Sequence, residues 1–224
     1  MVSARDGYGA WQPTYDETVQ DIMDLGLLER LTTVRWSEAR QVVDLGCGTG
    51  RTASWLLSKG VGTIDGVDVT PEMLERARGR GCHRHLEEAD IRATGLPGAA
   101  YDLVICSLVD EHLPELGELY REARRLLCPD GTFVLVGYHP FFIMASGMPT
   151  HFDGVDGQPV AIETYVHLPS AHMTAALSAS FVASELCEAV IDDDWVRRKP
   201  KWERYRDWPI SFAWVWLASP DAAV

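Results

Sequence analysis

The sequence predicts an α/β fold: a three-layer arrangement in which helices cover both faces of a mostly parallel, seven-stranded sheet, with one antiparallel strand near the edge. Three observations predict it. Between residues 41 and 138, short apolar runs alternate with amphipathic stretches, the pattern of βαβ units. A glycine-rich turn, VVDLGCGTG at 42–50, comes straight out of the first apolar run. The last two strand-like runs, 181–191 and 210–217, are joined by a charged connector too short for a crossover helix plus its turns, so they should pair antiparallel.

The elements follow in order. Tyr15 to Leu31 places Ile22, Leu25, Leu28 and Leu31 at helical spacings and reads as one or two amphipathic helices. QVVDL at 41–45 is a short buried strand, and 50–59 is a helix stopped by Gly60. TIDGVDV at 63–69 is the second strand. Thr70, Pro71 and Glu72 then supply an N-cap, a first helical residue and an acidic first turn. YDLVICSL at 101–108 is another apolar strand. The helix at 114–127 gathers Leu116, Leu119, Tyr120, Ala123, Leu126 and Leu127 on one face. Cys128-Pro129-Asp130-Gly131 turns into the strand TFVLVGY at 132–138. Residues 139–168 read as irregular, with room for one short strand at AIETYVH, and a helix follows at 169–178.

Composition narrows the function. The chain has 224 residues and a formal net charge of −13, which disfavours a nucleic-acid substrate. Its one basic cluster, RRKPKWERYR at 197–206, reads as a solvated connector, with Trp202, Tyr205 and Trp208 packing for the last strands. No apolar run approaches the roughly 20 residues of a membrane span, and the N-terminal residues have no secretory core. Cysteines 47, 82, 106, 128 and 187 form no CxxC pair, so neither a zinc site nor a disulfide framework is suggested, and a cytoplasmic setting is expected.

Ligands of open α/β sheets lie beyond the carboxyl ends of the strands, where the glycine turn sits. A dinucleotide would want GxGxxG, but the register here runs Gly46, Gly48 and then Arg51. Asp44, two residues before Gly46, would repel a diphosphate and attract an ammonium group. S-adenosylmethionine meets these needs, with a cationic amino-acid end, a sulfonium, a ribose, an adenine and no phosphate.

VVDLGCGTG closely resembles the first motif of the class I, Rossmann-like methyltransferases that use S-adenosyl-L-methionine and release S-adenosyl-L-homocysteine. The resemblance implies that the backbone at Gly46 and Gly48 holds the methionyl part and that Asp44 bonds its amino group, directly or through water. Asp68 in GVDVTPEML resembles the acid that binds both ribose hydroxyls, with Val69 beside it and Met73 packed on the adenine. Asp65 is a rival at the strand's other end. EADIRATGLP resembles the third motif, where Asp90 accepts from the adenine amino group and the Ile91 backbone meets a ring nitrogen. YDLVICSL resembles the fourth, with Ser107 lining the floor near the sulfonium. The likeness extends over roughly residues 12–138. It implies one methyltransferase domain: N-terminal helices and lid over 1–40, a cofactor-binding half over 41–138, a lid insertion and helix over 139–180, and terminal antiparallel strands over 181–224.

Methyl transfer is an in-line displacement, and a base helps when the acceptor is a hydroxyl or a carbon acid. His112 in VDEHLPEL and His139 in GYHPFF are the base candidates. Glu111 is an alternative base or a substrate holder, and Tyr138 and His151 are further substrate candidates. In relatives, a histidine near position 112 often packs without doing chemistry. CSLVD stands where enzymes acting on nucleobase or amide nitrogen carry an Asn- or Asp-Pro-Pro-aromatic motif. Phe141, Phe142, Ile143, Met144, Met148 and Phe152 suggest a lid over a small apolar or aromatic methyl acceptor. The expectation is a monomeric or homodimeric enzyme that methylates oxygen, then nitrogen or carbon, of a small metabolite. The alternatives are a cofactor-binding regulatory or scaffold domain and, less favoured, an NAD-dependent dehydrogenase.

Overall fold

The computed structural model describes residues 1–19 and 21–219. Gln20, within the expected N-terminal helices, and residues 220–224, the end of the terminal segment, lie outside the described residues. The central sheet begins with β1 (Gln41–Leu45), β2 (Thr63–Asp68), β3 (His85–Glu88), β4 (Tyr101–Ser107) and β5 (Leu127–Tyr138). A hairpin, β6 (His151–Asp153) and β7 (Pro159–Ala161), stands apart from it, and β8 (Phe181–Val190) and β9 (Pro209–Ala218) complete the sheet. The strand order is β3-β2-β1-β4-β5-β9-β8. β9 runs against the other six strands of the sheet, setting Val215 against Val134 of β5 and Glu185 of β8. The expected fold class is therefore the observed one.

Two core layers cover the sheet, because successive strand residues point to opposite faces. Val43, Val104, Phe133 and Trp216 pack under α6 (Gly117–Leu126) and α8 (Pro169–Ser178) through Leu119, Tyr120 and Ala176. Val42, Leu103, Ile105 and Val134 face the other way, under α4 (Arg51–Ser58) and the N-terminal segment, with Leu27, Leu28 and Leu56. The helix between β2 and β3, α5 (Pro71–Arg80), starts on Pro71 and ends on Gly81 in the left-handed region.

Several local expectations differ from what is found. β3 carries no apolar run: its HLEE side chains are exposed or half-buried at the sheet edge, and backbone pairing to β2 makes it a strand. The first helix is α1 (Ala4–Trp11), capped by Ser3 and close-packed where Gly7 meets Ile162. The helices expected over Tyr15 to Leu31 shrink to single turns, α2 (Tyr15–Thr18) and α3 (Leu25–Leu28).

Residues 139–168 are not irregular. They form α7 (Pro140–Ser146) and the β6–β7 hairpin. Only Ala161 of AIETYVH joins a strand, because the next residues turn to other partners: Ile162 bridges Val2, and the Glu163 N–H donates to the Val2 carbonyl. The connector before β9 folds as α9 (Asp193–Arg198) and a 3₁₀ turn at Pro200–Tyr205. Its Trp202 stacks on Phe142 at 5.3 Å, with Tyr205 edge-on at 5.2 Å.

Trp216 is fully buried, stacked on Trp214 at 4.6 Å and edge-on to Tyr120 at 5.9 Å. Trp216→Ala is expected to lower stability by about 3–5 kcal/mol, the range for emptying a large aromatic site. Urea unfolding of the two proteins measures it.

Candidate active site

The site lies at the carboxyl ends of β1, β2 and β4. Gly46 sits at φ +74°, and a Cβ there would run into the Val109 side chain, so only glycine serves. Gly48, at φ +52°, would point its Cβ into open space. The Gly48 N–H donates to Asp68 Oδ2 at 2.8 Å, and the Thr70 N–H donates to Asp68 Oδ1, also at 2.8 Å. One carboxylate thus joins the glycine loop to the end of β2 and keeps further lone pairs for a ligand. Gly46, Gly48, Asp68, Val69, Met73, Asp90, Ile91, Ser107 and His112 line a single cavity there. Asp65 is not among them: Arg84 at 2.6 Å and the Tyr101 hydroxyl at 2.9 Å hold it at the other end of β2.

Asp44 lies behind this wall, almost fully buried, and its Oδ2 has no hydrogen-bond partner among the described residues. Burial pushes its carboxyl up to about 8, helped by the charges of Asp68 and Asp24. Asp90 lines the cavity, but its carboxylate is already gripped by the Arg92 guanidinium at 2.6 and 2.9 Å, which holds its pKa low. Ser107 Oγ is buried in the cavity wall, also without a hydrogen-bond partner among the described residues.

The N-terminal segment, expected as part of the lid, closes the cavity with Ala4, Arg5, Tyr8 and Tyr15, none of which was named as a site residue. The signal was present: Tyr8, Trp11 and Tyr15 are three and four residues apart, a helical aromatic stripe. Arg51, where a dinucleotide fingerprint would have its third glycine, instead donates to Asp21 at 2.7 Å and to buried Asp24 at 3.0 Å. Asp16 accepts from the Thr49 hydroxyl at 2.6 Å and from Arg80 at 2.7 Å. These contacts fasten the segment to the glycine loop and α4.

A second cavity, about 490 Å³ against about 250 Å³, shares Tyr8, Tyr15 and Leu108 with the first. Trp11, Glu111, Tyr138, Met148, His151, Phe152 and Trp202 line it, and Trp11 stacks on Phe152 at 5.6 Å. His151 sits at its exposed edge, bonded through Nδ1 to the Pro149 carbonyl. Glu111 is buried: the Thr150 hydroxyl donates to Oε1 at 3.3 Å, while Oε2 has no partner among the described residues. Burial, then the neighbouring Asp110 charge, raises the Glu111 carboxyl well above the ordinary range.

The two histidines differ from expectation. His139 does not reach either cavity. Tyr138 points into the second one, so the next residue faces the opposite side of the sheet. There, His139 Nδ1 accepts the Phe141 N–H and caps α7, while Nε2 meets Glu188 at 2.9 Å. His112 lines the first cavity, yet both its nitrogens are engaged. Nδ1 donates to the Glu163 carbonyl at 2.7 Å, which leaves Nε2 of the neutral ring to accept from the Tyr8 hydroxyl at 3.0 Å. Burial lowers its pKa and keeps it neutral.

Residues 43–135 match the methyltransferase domain family. This part of the chain matches a methyltransferase domain, and the fold is the one found in S-adenosylmethionine-dependent methyltransferases. It is 32% identical over 143 residues to the malonyl-[acyl-carrier protein] O-methyltransferase of Halorhodospira halophila, covering 61% of this chain and 48% of that one. It is 32% identical over 139 residues to the trans-aconitate 2-methyltransferase of Azoarcus sp., covering 62% and 48%. The chain thus spans about half the length of these curated relatives. The crystal structure of an S-adenosylmethionine-dependent methyltransferase from Mesorhizobium loti shares the fold, with a TM-score of 0.68 at 23% identity over 86% of this chain and 96% of that one.

The residues present fit the cofactor of this methyltransferase class. The unpartnered Asp44 carboxylate suits an ammonium, Asp68 suits a pair of hydroxyls, and the space beside Gly48 admits a ligand against bare backbone. The acidic side chains beside the loop, Asp44 and Asp68, are wrong partners for phosphate. Among the described residues, no group of three or more His, Cys, Asp or Glu side chains is placed to hold a metal ion.

Two outcomes follow from this methyltransferase site. An ammonium beside Asp44 lowers a carboxyl that stands at about 8 in the free protein. Binding of S-adenosylhomocysteine is therefore expected to release a proton between about pH 4 and pH 8, the span from an ordinary carboxyl to the raised one. Calorimetry in buffers of different ionisation enthalpy reads that proton, and Asp44→Asn should abolish its release. Asp68→Ala is expected to weaken binding by about 1–3 kcal/mol, the cost of losing a buried charged partner; unchanged affinity would place the ribose elsewhere.

Proposed function

We propose that the protein transfers the methyl group of S-adenosylmethionine to an oxygen of a small organic acceptor seated in the second cavity, with nitrogen or carbon as less favoured targets. The observation that carries this reading is the adjacency of the two cavities, which share Tyr8, Tyr15 and Leu108 in their walls. The cofactor, when bound, supplies an electrophilic methyl group on a cationic sulfur, and the chain supplies placement and electrostatics. The relatives' names, an O-methyltransferase and a trans-aconitate methyltransferase, support a carboxylate or hydroxyl oxygen. Residues 1–40 and 139–180 act as the lid of one methyltransferase unit. Five free cysteines support a reducing, cytoplasmic setting.

Glu111 is the base in this reading, in place of either histidine. Glu111 lines the second cavity, and a raised pKa makes its carboxylate a stronger base than a surface one. The working form is ionised, so turnover should rise as pH passes above the usual carboxylate range. His112 positions Tyr8, and Tyr138 and His151 contact the acceptor.

A labelled-methyl assay over phenols, carboxylates and amines tests the reading. Glu111→Gln is expected to lower turnover of a hydroxyl acceptor by about 10²-fold or more, the usual worth of a positioned base. The rise with pH should flatten while S-adenosylhomocysteine affinity stays the same. Full turnover by Glu111→Gln would remove Glu111 from the chemistry. Silence of the wild type across the series would favour the regulatory or scaffold alternative.

A further inference from the structure

The chain contains three lysines, Lys59, Lys199 and Lys201, in a protein of net charge −13. Two of the three line the second cavity. Lys201 is exposed and Lys199 half-buried, so they stand at its mouth, whereas Glu111 is buried inside. Their basic neighbours are all engaged: Arg197 and Arg198 pair with Asp194, Arg206 pairs with Glu203, and Arg204 lies over Tyr205. Among the described residues, neither lysine pairs with a carboxylate. Lys199 rests on the Trp202 ring at 5.5 Å, and its ammonium is disfavoured first by burial and then by the charge of Lys201. Two like charges side by side, one of them partly desolvated, are stabilised by an anion placed between them.

Resting on the reading of the second cavity as the acceptor chamber, we propose that Lys199 and Lys201 are a specificity-determining pair. They select aromatic acceptors that carry an oxyanion, carboxylate or phosphate, at the end remote from the methylated atom. The lining offers aromatic surface suited to a ring: Trp11 stacked on Phe152, and Trp202. The inner end would repel the same oxyanion, because Glu111 lies there and Asp68 stands in the adjoining cavity. The lining also holds exposed Glu17 and Asp153, so it is the lysines in particular that would take the oxyanion outward, with the reacting oxygen inward. The pair also supplies local attraction that an acidic protein otherwise denies to an approaching anion.

The test uses the full chain with saturating S-adenosylhomocysteine and matched probes: 4-hydroxybenzoate and 4-hydroxycinnamate, their methyl esters, and phenyl phosphate. Quenching of tryptophan fluorescence and calorimetry read binding. The acids are expected to bind the wild type at least ten-fold tighter than the esters, with a margin that shrinks as salt rises. The double variant K199A/K201A should lose that margin while ester and S-adenosylhomocysteine affinities stay unchanged, and K199R/K201R should restore it. The tighter arm of carboxylate and phosphate names the oxyanion. Equal binding of acids and esters by the wild type, or no binding of either, overturns the proposal, as does a margin that survives in K199A/K201A. Turnover of neutral acceptors alone would leave the methyltransferase reading standing and remove this one. Failure of the wild type to bind S-adenosylhomocysteine would instead sink the reading of the site, and this proposal with it.

Discussion

The Asp68 carboxylate is the constraint on which the site depends. It accepts the Gly48 N–H with one oxygen and the Thr70 N–H with the other. The first bond holds the loop after β1; the second fixes the step from β2 into α5. Burial raises its pKa while the two backbone donors lower it, so the fold itself helps keep a charge there. Asp44 sits beside it without such donors, and its carboxyl rises to about 8. The contrast divides the two: Asp68 is structural and cavity-facing at once, whereas Asp44 Oδ2 stands behind the cavity wall without a partner among the described residues.

Around that point the chain uses charge as fastening. Arg51 begins α4 and ties it to Asp21 and Asp24; Arg80 ends α5 and reaches Asp16. These pairs are partly or wholly shielded, which makes them more specific than surface pairs, and they bring the N-terminal segment over the cavity. The same acidic segment would be held far less firmly had a dinucleotide-type glycine stood at position 51.

The sheet and its glycine loop were legible because they obey strong local rules. β1 and β4 are continuous apolar runs, as strands buried on both faces must be, and α8 begins at Pro169 where a proline opens a helix. β3 was illegible because an edge strand of exposed polar residues shows no periodicity. The N-terminal cover was misplaced because α1 contains two glycines and draws its stability from packing and Ser3 capping rather than from propensity. His139 looked like a pocket residue from its position at a strand end; the alternation of side chains, counted from Tyr138, turns it away. The hydrogen bond to Glu111 Oε1 comes from Thr150, which lies 39 residues away in sequence, so no local reading could have shown it.

Tyr8 belongs to both chambers and is held by His112, whose other nitrogen is anchored on Glu163. A partition shared in this way cannot settle around an occupant on one side without changing what the other side offers. The two ligands are then thermodynamically linked, each altering the affinity of its companion by the same factor. Where ordering the tyrosine serves both, the first arrival meets the entropic cost and the second is spared it, so two such ligands would bind in concert rather than independently.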